Sequence, residues 1–206
     1  MLAMACLGAC TRPVAVESTW LEGVPRDQSF HNVLVIGVSP AFNTRCRYER
    51  ALAAILRSAS VKATASCTVM DMKDPLTKES VTPVVASLGA DAVLATRLVA
   101  HKADLVEGGT NETRGRAFYK PVGYGVDSYY GSYGLPVTYV DFVAEESALT
   151  LERTATISTN LYETRNASLI YTMDTTAFDK DSQGAIIDAM TTAIADRLRR
   201  DGLVGK

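Results

Sequence analysis

The side chains that could do chemistry are few: four cysteines (Cys6, Cys10, Cys46, Cys67), two histidines (His31, His101) and one adjacent carboxylate pair, Glu145-Glu146. Nucleophilic catalysis by serine needs a base within hydrogen-bond reach, most often histidine. The two histidines stand 70 positions apart, neither in a motif, and the chain has no Gly-x-Ser-x-Gly elbow. His101 reads as the polar end of a strand. Glu145-Glu146 reads as a solvated bend, because glycoside hydrolysis needs carboxylates facing each other across a cleft. A zinc site needs clustered thiols and imidazoles, and no Cys-x-x-Cys is present. Gly37-Val-Ser-Pro-Ala-Phe-Asn43 follows an apolar run and precedes helical spacing, which is where nucleotide folds hold phosphate. It lacks Gly-Lys-Ser/Thr and Gly-x-Gly-x-x-Gly. Two glycosylation-type triplets, Asn111-Glu-Thr113 and Asn166-Ala-Ser168, read as chance matches. The residues therefore point to no catalytic group, no metal and no cofactor.

One cysteine does sit in a motif. Leu7-Gly8-Ala9-Cys10 resembles the lipobox of bacterial lipoprotein signal peptides. Small residues let the chain enter a peptidase site extended, and the thiol takes a diacylglyceryl group. The resemblance implies cleavage before Cys10, lipid on Cys10, and a mature chain facing the periplasm. Thr11, in place of an inner-membrane retention Asp, implies the outer membrane. Two or three acyl chains hold a protein to a bilayer far more firmly than one. The match departs from the usual pattern in one respect: no Lys or Arg precedes Cys10, and Arg12 is the first cation. Met1–Ala9 is apolar and nine residues long, within the ~7–15 residues of a signal's apolar region and far below the ~20 needed to span a bilayer. Residues 1–9 are thus expected to be a signal peptide. Residues 10–30, interrupted by Pro13, Gly23 and Pro25, are expected to be a tether.

Composition supports one folded unit. Hydrophobic residues make up 47% and charged residues 21%, and 21 Lys+Arg face 23 Asp+Glu for a net charge of -2. A core can be built. The basic footprint that nucleic acid demands is missing.

The elements follow from periodicity. Val33–Val38 is a continuous apolar run, suited to a strand buried on both faces. Asn43 or Thr44 could cap a helix carrying Tyr48, Leu52, Ile55 and Leu56 to about Ser58. Val61–Met70 reads as a strand. A second helix starts near Ser80 with Pro83 in its first turn and closes at Leu88-Gly89. Ala92–Val99 is a third strand. Val137–Ala144 and Ala148–Tyr162 read as strands, and Leu169–Thr176 pairs back as a hairpin. The last helix runs from Ser182 to Arg200 with Ile186, Met190, Ile194 and Leu198 as its apolar stripe. Gly202 caps it and Leu203 folds back. The expected class is α/β (α+β): β-α-β-α-β, a β-meander and a carboxyl-terminal helix, forming a mixed sheet with helices packed on it. Residues 31–206 form one domain.

Between them lies a different composition. Residues 105–136 hold seven glycines and five tyrosines and read as an insertion. Tyr119, Tyr124, Tyr129, Tyr130 and Tyr133 offer broad amphipathic contact area at small entropic cost, so this is the expected partner-binding loop.

Once Cys6 leaves with the signal and Cys10 is lipidated, Cys46 and Cys67 remain. Cys46 lies about twelve residues before its helix ends, or ~18 Å. Cys67 lies about six residues into the following strand, or ~20 Å. Helix and strand run antiparallel, so the two come level. Either a disulfide or two separate buried thiols fits this spacing, and an oxidising periplasm permits the bond.

Several segments together resemble a family of small proteobacterial lipoproteins of unknown function. They are the Val33–Val38 strand entering a helix, Gly89-Ala-Asp-Ala-Val93 before a strand, Asn160-Leu-Tyr-Glu-Thr164 with Leu169-Ile-Tyr171, and Arg199-Arg-Asp-Gly-Leu203. The fold this implies is similar to the amino-terminal domain of TolB. That architecture also occurs in the curli secretion channel lipoprotein and in outer-membrane activators of penicillin-binding proteins. The implied function is a non-enzymatic, lipid-anchored scaffold or binding module of the cell envelope, with an unknown envelope protein or glycan as partner. The first alternative is a subunit of an oligomeric outer-membrane channel or secretion assembly, although residues 105–136 lack the apolar alternation of a lipid-facing strand. A cell-wall hydrolase is the lesser alternative.

Overall fold

A computed structural model describes residues 14–39, 41–71, 75–106, 116–118, 150–178 and 182–205. In chain order the elements are β1 (Ala15–Trp20), β2 (Asn32–Val38), α1 (Phe42–Leu56), β3 (Lys62–Ala65), a 3₁₀ turn at Ser66–Thr68, α2 (Lys78–Leu88), β4 (Ala92–Val106), β5 (Arg116–Phe118), β6 (Thr150–Glu163), β7 (Leu169–Ala177) and α3 (Gln183–Arg200). Among the described residues the strands form one sheet in the order β1-β7-β6-β4-β2-β3, with β5 added to β4. β2 runs parallel to both β3 and β4, as the α1 and α2 crossovers require. The β4–β6, β6–β7 and β7–β1 pairs are antiparallel. The sheet is mixed and the class α+β.

β2 is buried on both faces, which its unbroken apolar run demands. Val33 and Val35 face α1 and α3, together with Leu52, Leu94, Leu161, Ile194 and Leu198. Leu34 and Ile36 face α2, with Val81, Val85, Val93 and Tyr162. Gly202 takes φ +72° after α3, which lets the Leu203 amide reach the Leu198 carbonyl at 2.9 Å. Leu203 is then fully buried, a burial that stabilises by about 1.5–3 kcal/mol. The Phe30 amide in turn donates to the Leu203 carbonyl at 2.8 Å, tying the entry to β2 to the end of the chain.

Five expectations need correction. The tether does not extend to residue 30, because Ala15–Trp20 is an edge strand paired with β7 from Ala15↔Thr176 to Trp20↔Tyr171. Val16 and Trp20 turn to the core while Ala15, Glu17 and Thr19 are exposed. Ser18 between the two inward apolar residues hides the alternation. The strand expected over Val61–Met70 stops at Ala65, where the chain turns through Ser66–Thr68. α2 begins at Lys78: Thr77 is its N-cap, and the Thr77 and Ser80 side chains exchange bonds with each other's amides. Pro83 therefore lies inside the helix, where Glu79 loses its i+4 donor. α1 is capped by no side chain; Ala41 is its N-cap residue, and Asn43 and Thr44 are already helical. Finally, β4 runs on to Val106 against β6, past a register shift between Leu98 and Ala100. Residues 105 and 106 thus belong to a strand and not to the insertion. The strand expected over residues 137–144 lies outside the described residues.

Candidate functional site

α1 and α3 lie on the same face of the sheet, and both begin at the end where the parallel strands finish. Between their first turns is a cleft of about 430 Å³. Its sheet side is made by Leu98 of β4 and by Ala155 and Ile157 of β6; its helix side is made by Tyr48 and by Ile186, Ile187 and Met190. Ser39, Thr44 and Gln183 supply polar lining. The Gln183 amide reaches the Thr44 hydroxyl at 3.5 Å, joining the two helix starts. The carboxyl end of a parallel sheet is where α/β proteins commonly place ligands, and this volume falls within the ~300–1,000 Å³ of small-molecule sites.

Behind the cleft is a buried charge pair. Glu49 is fully buried. Its Oε1 accepts from the Arg45 Nε–H at 2.8 Å, the Gly37 amide at 2.8 Å and the Ser66 hydroxyl at 2.8 Å. Its Oε2 accepts from the Cys67 amide at 2.7 Å. Arg45 also donates to the Ser66 Oγ at 2.9 Å. Four donors thus replace the carboxylate's lost hydration, as a buried charge requires. Beside them, Cys46 of α1 and Cys67 of the 3₁₀ turn form a disulfide with Cα atoms 5.4 Å apart. Bond and carboxylate together fix the turn after β3 to α1 and to the end of β2. One turn along α1, the Tyr48 hydroxyl donates to the Thr96 Oγ1 at 2.8 Å, and the Thr96 hydroxyl lies 3.0 Å from that of Thr159. Burial pushes the Tyr48 phenol well above its ordinary value, against the smaller opposing effect of these threonines.

Chemically, the arrangement offers shape and apolar surface. Among the described residues Arg45 is the one charged side chain lining the cleft, and it is held by Glu49 and Ser66. The two histidines do not meet. His31 precedes β2 at the opposite end of the sheet, with its Nδ1 3.2 Å from the Ser60 carbonyl oxygen. His101 lies within β4, opposite Ala155. Among the described residues no three His, Cys, Asp or Glu side chains converge as metal ligands. The Gly37–Asn43 segment borders the cleft through Gly37, Val38 and Ser39. Cys10, Glu145, Glu146 and the tyrosines Tyr119, Tyr124, Tyr129, Tyr130 and Tyr133 lie outside the described residues.

Arg45, Glu49 and Ser66 were not among the residues singled out by sequence. The signal was there: Arg45, Glu49, Leu52 and Leu56 recur at helical spacing, and a charged i,i+4 pair in line with an apolar stripe marks a buried ion pair.

No protein-family model matches the chain, and no curated protein matches it. Among solved structures, a point variant of the PelC dodecamer from Paraburkholderia phytofirmans superposes with a TM-score of 0.48 at 12% identity, covering 94% of this chain and 99% of that one. Lipoprotein GNA1162 from Neisseria meningitidis gives 0.41 at 12% identity, covering 82% and 99%. A PDZ domain protein from Parabacteroides distasonis gives 0.40 at 8% identity, covering 91% of this chain and 36% of that one. At these TM-scores the likeness carries no functional argument.

Proposed function

We propose that this chain is a non-enzymatic binding module of the bacterial envelope, anchored by lipid on Cys10 in the outer membrane with its α+β domain in the periplasm. The observation that carries the reading is the cysteine usage. One cysteine ends a Leu-Gly-Ala-Cys motif, and Cys46 and Cys67 are bonded to each other, a pairing that persists in oxidising compartments. The cleft supports a binding role: its described lining is largely apolar, and the one cation among the described lining residues is neutralised by Glu49. The tyrosines of residues 119–133 are the proposed contact surface for an envelope protein or glycan.

Growth with radiolabelled palmitate tests this reading. The label is expected on the polypeptide, with the protein in the outer-membrane fraction; a Cys10→Ser variant is expected to carry none. An unlabelled wild-type polypeptide overturns the proposal.

A further inference from the structure

We infer that the cleft between α1 and α3 receives a single acyl chain of a membrane lipid, drawn from the bilayer beside which Cys10 holds the domain. The inference rests on the Cys10 reading above and deepens it by naming a ligand class. Three observations carry it, beginning with the lining. Leu98, Ala155, Ile157, Ile187 and Met190 present hydrocarbon, and Arg45 is satisfied by Glu49 at 2.8 Å and Ser66 at 2.9 Å. An apolar chain can therefore enter without stranding a charge.

Position is the second observation. β1 pairs Ala15 with Thr176, and Thr176 pairs with Thr156, which sits between the lining residues Ala155 and Ile157. The chain thus leaves the sheet toward Cys10 two strand spacings, or ~10 Å, from the cleft. From Cys10 to Val14 four residue steps reach at most ~14 Å. The described chain thus begins at the end of the sheet where the cleft opens, and a lipid on Cys10 would hold the cleft close to the bilayer.

The third is polarity. Neither α1 nor α3 has an acidic residue in its first turn, and Ser39, Thr44 and Gln183 add hydroxyl and amide groups to the lining. Such surroundings suit the polar or anionic head of an amphiphile whose tail fills the apolar part. Leu98, which lines the cleft, and Val69 are the two large apolar side chains exposed among the described residues.

The test uses the full lipidated protein reconstituted in phosphatidylcholine vesicles doped with a lysophosphatidylcholine that carries a diazirine in its acyl chain. After irradiation, cross-linked peptides are mapped by mass spectrometry. Adducts are expected on the peptides holding Leu98, Ile157 and Ile186–Met190. Leu98→Arg places a charge in the lining and is expected to cut those adducts about tenfold. Val69→Arg, on exposed surface away from the cleft, is expected to leave them unchanged. Ile187→Phe, which fills the cleft without charge, is expected to act as Leu98→Arg does, with an unchanged unfolding midpoint showing that the fold survives. Adducts absent from these peptides, or adducts insensitive to both cleft variants, would each overturn the inference. The two readings fail differently: protein that does not float with the vesicles refutes the lipid on Cys10, whereas protein that floats but gives no cleft adduct refutes the acyl-chain site alone.

Discussion

Glu49 is expected to matter more to stability than the arginine it pairs with, and the hydrogen bonds say by how much. Replacing Glu49 with Leu removes the acceptor of the Gly37 amide, the Cys67 amide, the Ser66 hydroxyl and the Arg45 Nε–H together. It leaves a buried guanidinium with the Ser66 oxygen as its one side-chain acceptor among the described residues. Stranding one member of a buried ion pair costs about 3–5 kcal/mol. Replacing Arg45 with Met removes its bond to Glu49 and its bond to the Ser66 Oγ, but Glu49 keeps three donors, so the cost is about 1.5–3 kcal/mol. For a domain of this size each kcal/mol lowers Tm by roughly 2–4 °C, so Glu49→Leu is expected to lower Tm by about 6–20 °C. Urea unfolding read by Trp20, the chain's only tryptophan, which packs edge-on against Tyr171 at 5.4 Å, gives both values at constant slope. The reasoning is refuted if Arg45→Met costs as much as Glu49→Leu, or if Glu49→Leu costs less than about 1 kcal/mol.

Three further outcomes follow from the same contacts. Because burial raises the Tyr48 pKa, the folded state favours the neutral phenol. Its contribution is complete below the unfolded value near pH 10 and is lost as pH rises beyond it. Tyr48→Phe should therefore flatten the alkaline loss of stability while costing about 1 kcal/mol at neutral pH, since Thr96 and Thr159 keep each other; Tyr171, also raised by burial and by Asp201, supplies the slope that remains. Removing the disulfide with Cys46→Ser and Cys67→Ser together, a link across 21 positions, should cost about 3 kcal/mol, read as a lower urea midpoint against the oxidised wild type. Hydrogen exchange should find alternate amides of residues 15–20 protected by pairing with β7; exchange of the whole segment at the rate of free peptide would remove β1 from the fold.

What the sequence made legible followed from how each signal is generated. The α3 stripe, the Gly89 and Gly202 caps and the doubly buried β2 rest on local periodicity and single-residue stereochemistry, which neighbours in the chain fix almost alone. β1 did not, because an edge strand needs only one packed face and here Ser18 breaks the run between Val16 and Trp20. The end of β3 was hidden for a different reason. Ser66 and Cys67 turn away from the sheet because Glu49, 17 and 18 positions earlier, accepts from both. The start of α2 is not legible because a first-turn proline at Pro83 points to a start near Ser80, whereas Thr77 and Ser80 cap each other and the helix begins at Lys78, two residues earlier. The cleft assembles from β2, β4, β6, α1 and α3, so none of its outline exists in any one window. Local traces were limited to the Gly37–Asn43 segment, the α3 stripe residues Ile186 and Met190, and the charged pair Arg45 and Glu49 inside an apolar stripe.

Lipid on the thiol of Cys10 is read from the mass of the intact protein extracted from membranes. A polypeptide whose first residue is Cys10 is expected, heavier than its sequence by a diacylglyceryl group or by that group plus an amide-linked acyl chain. A polypeptide that retains residues 1–9 and carries no lipid on Cys10 would contradict it.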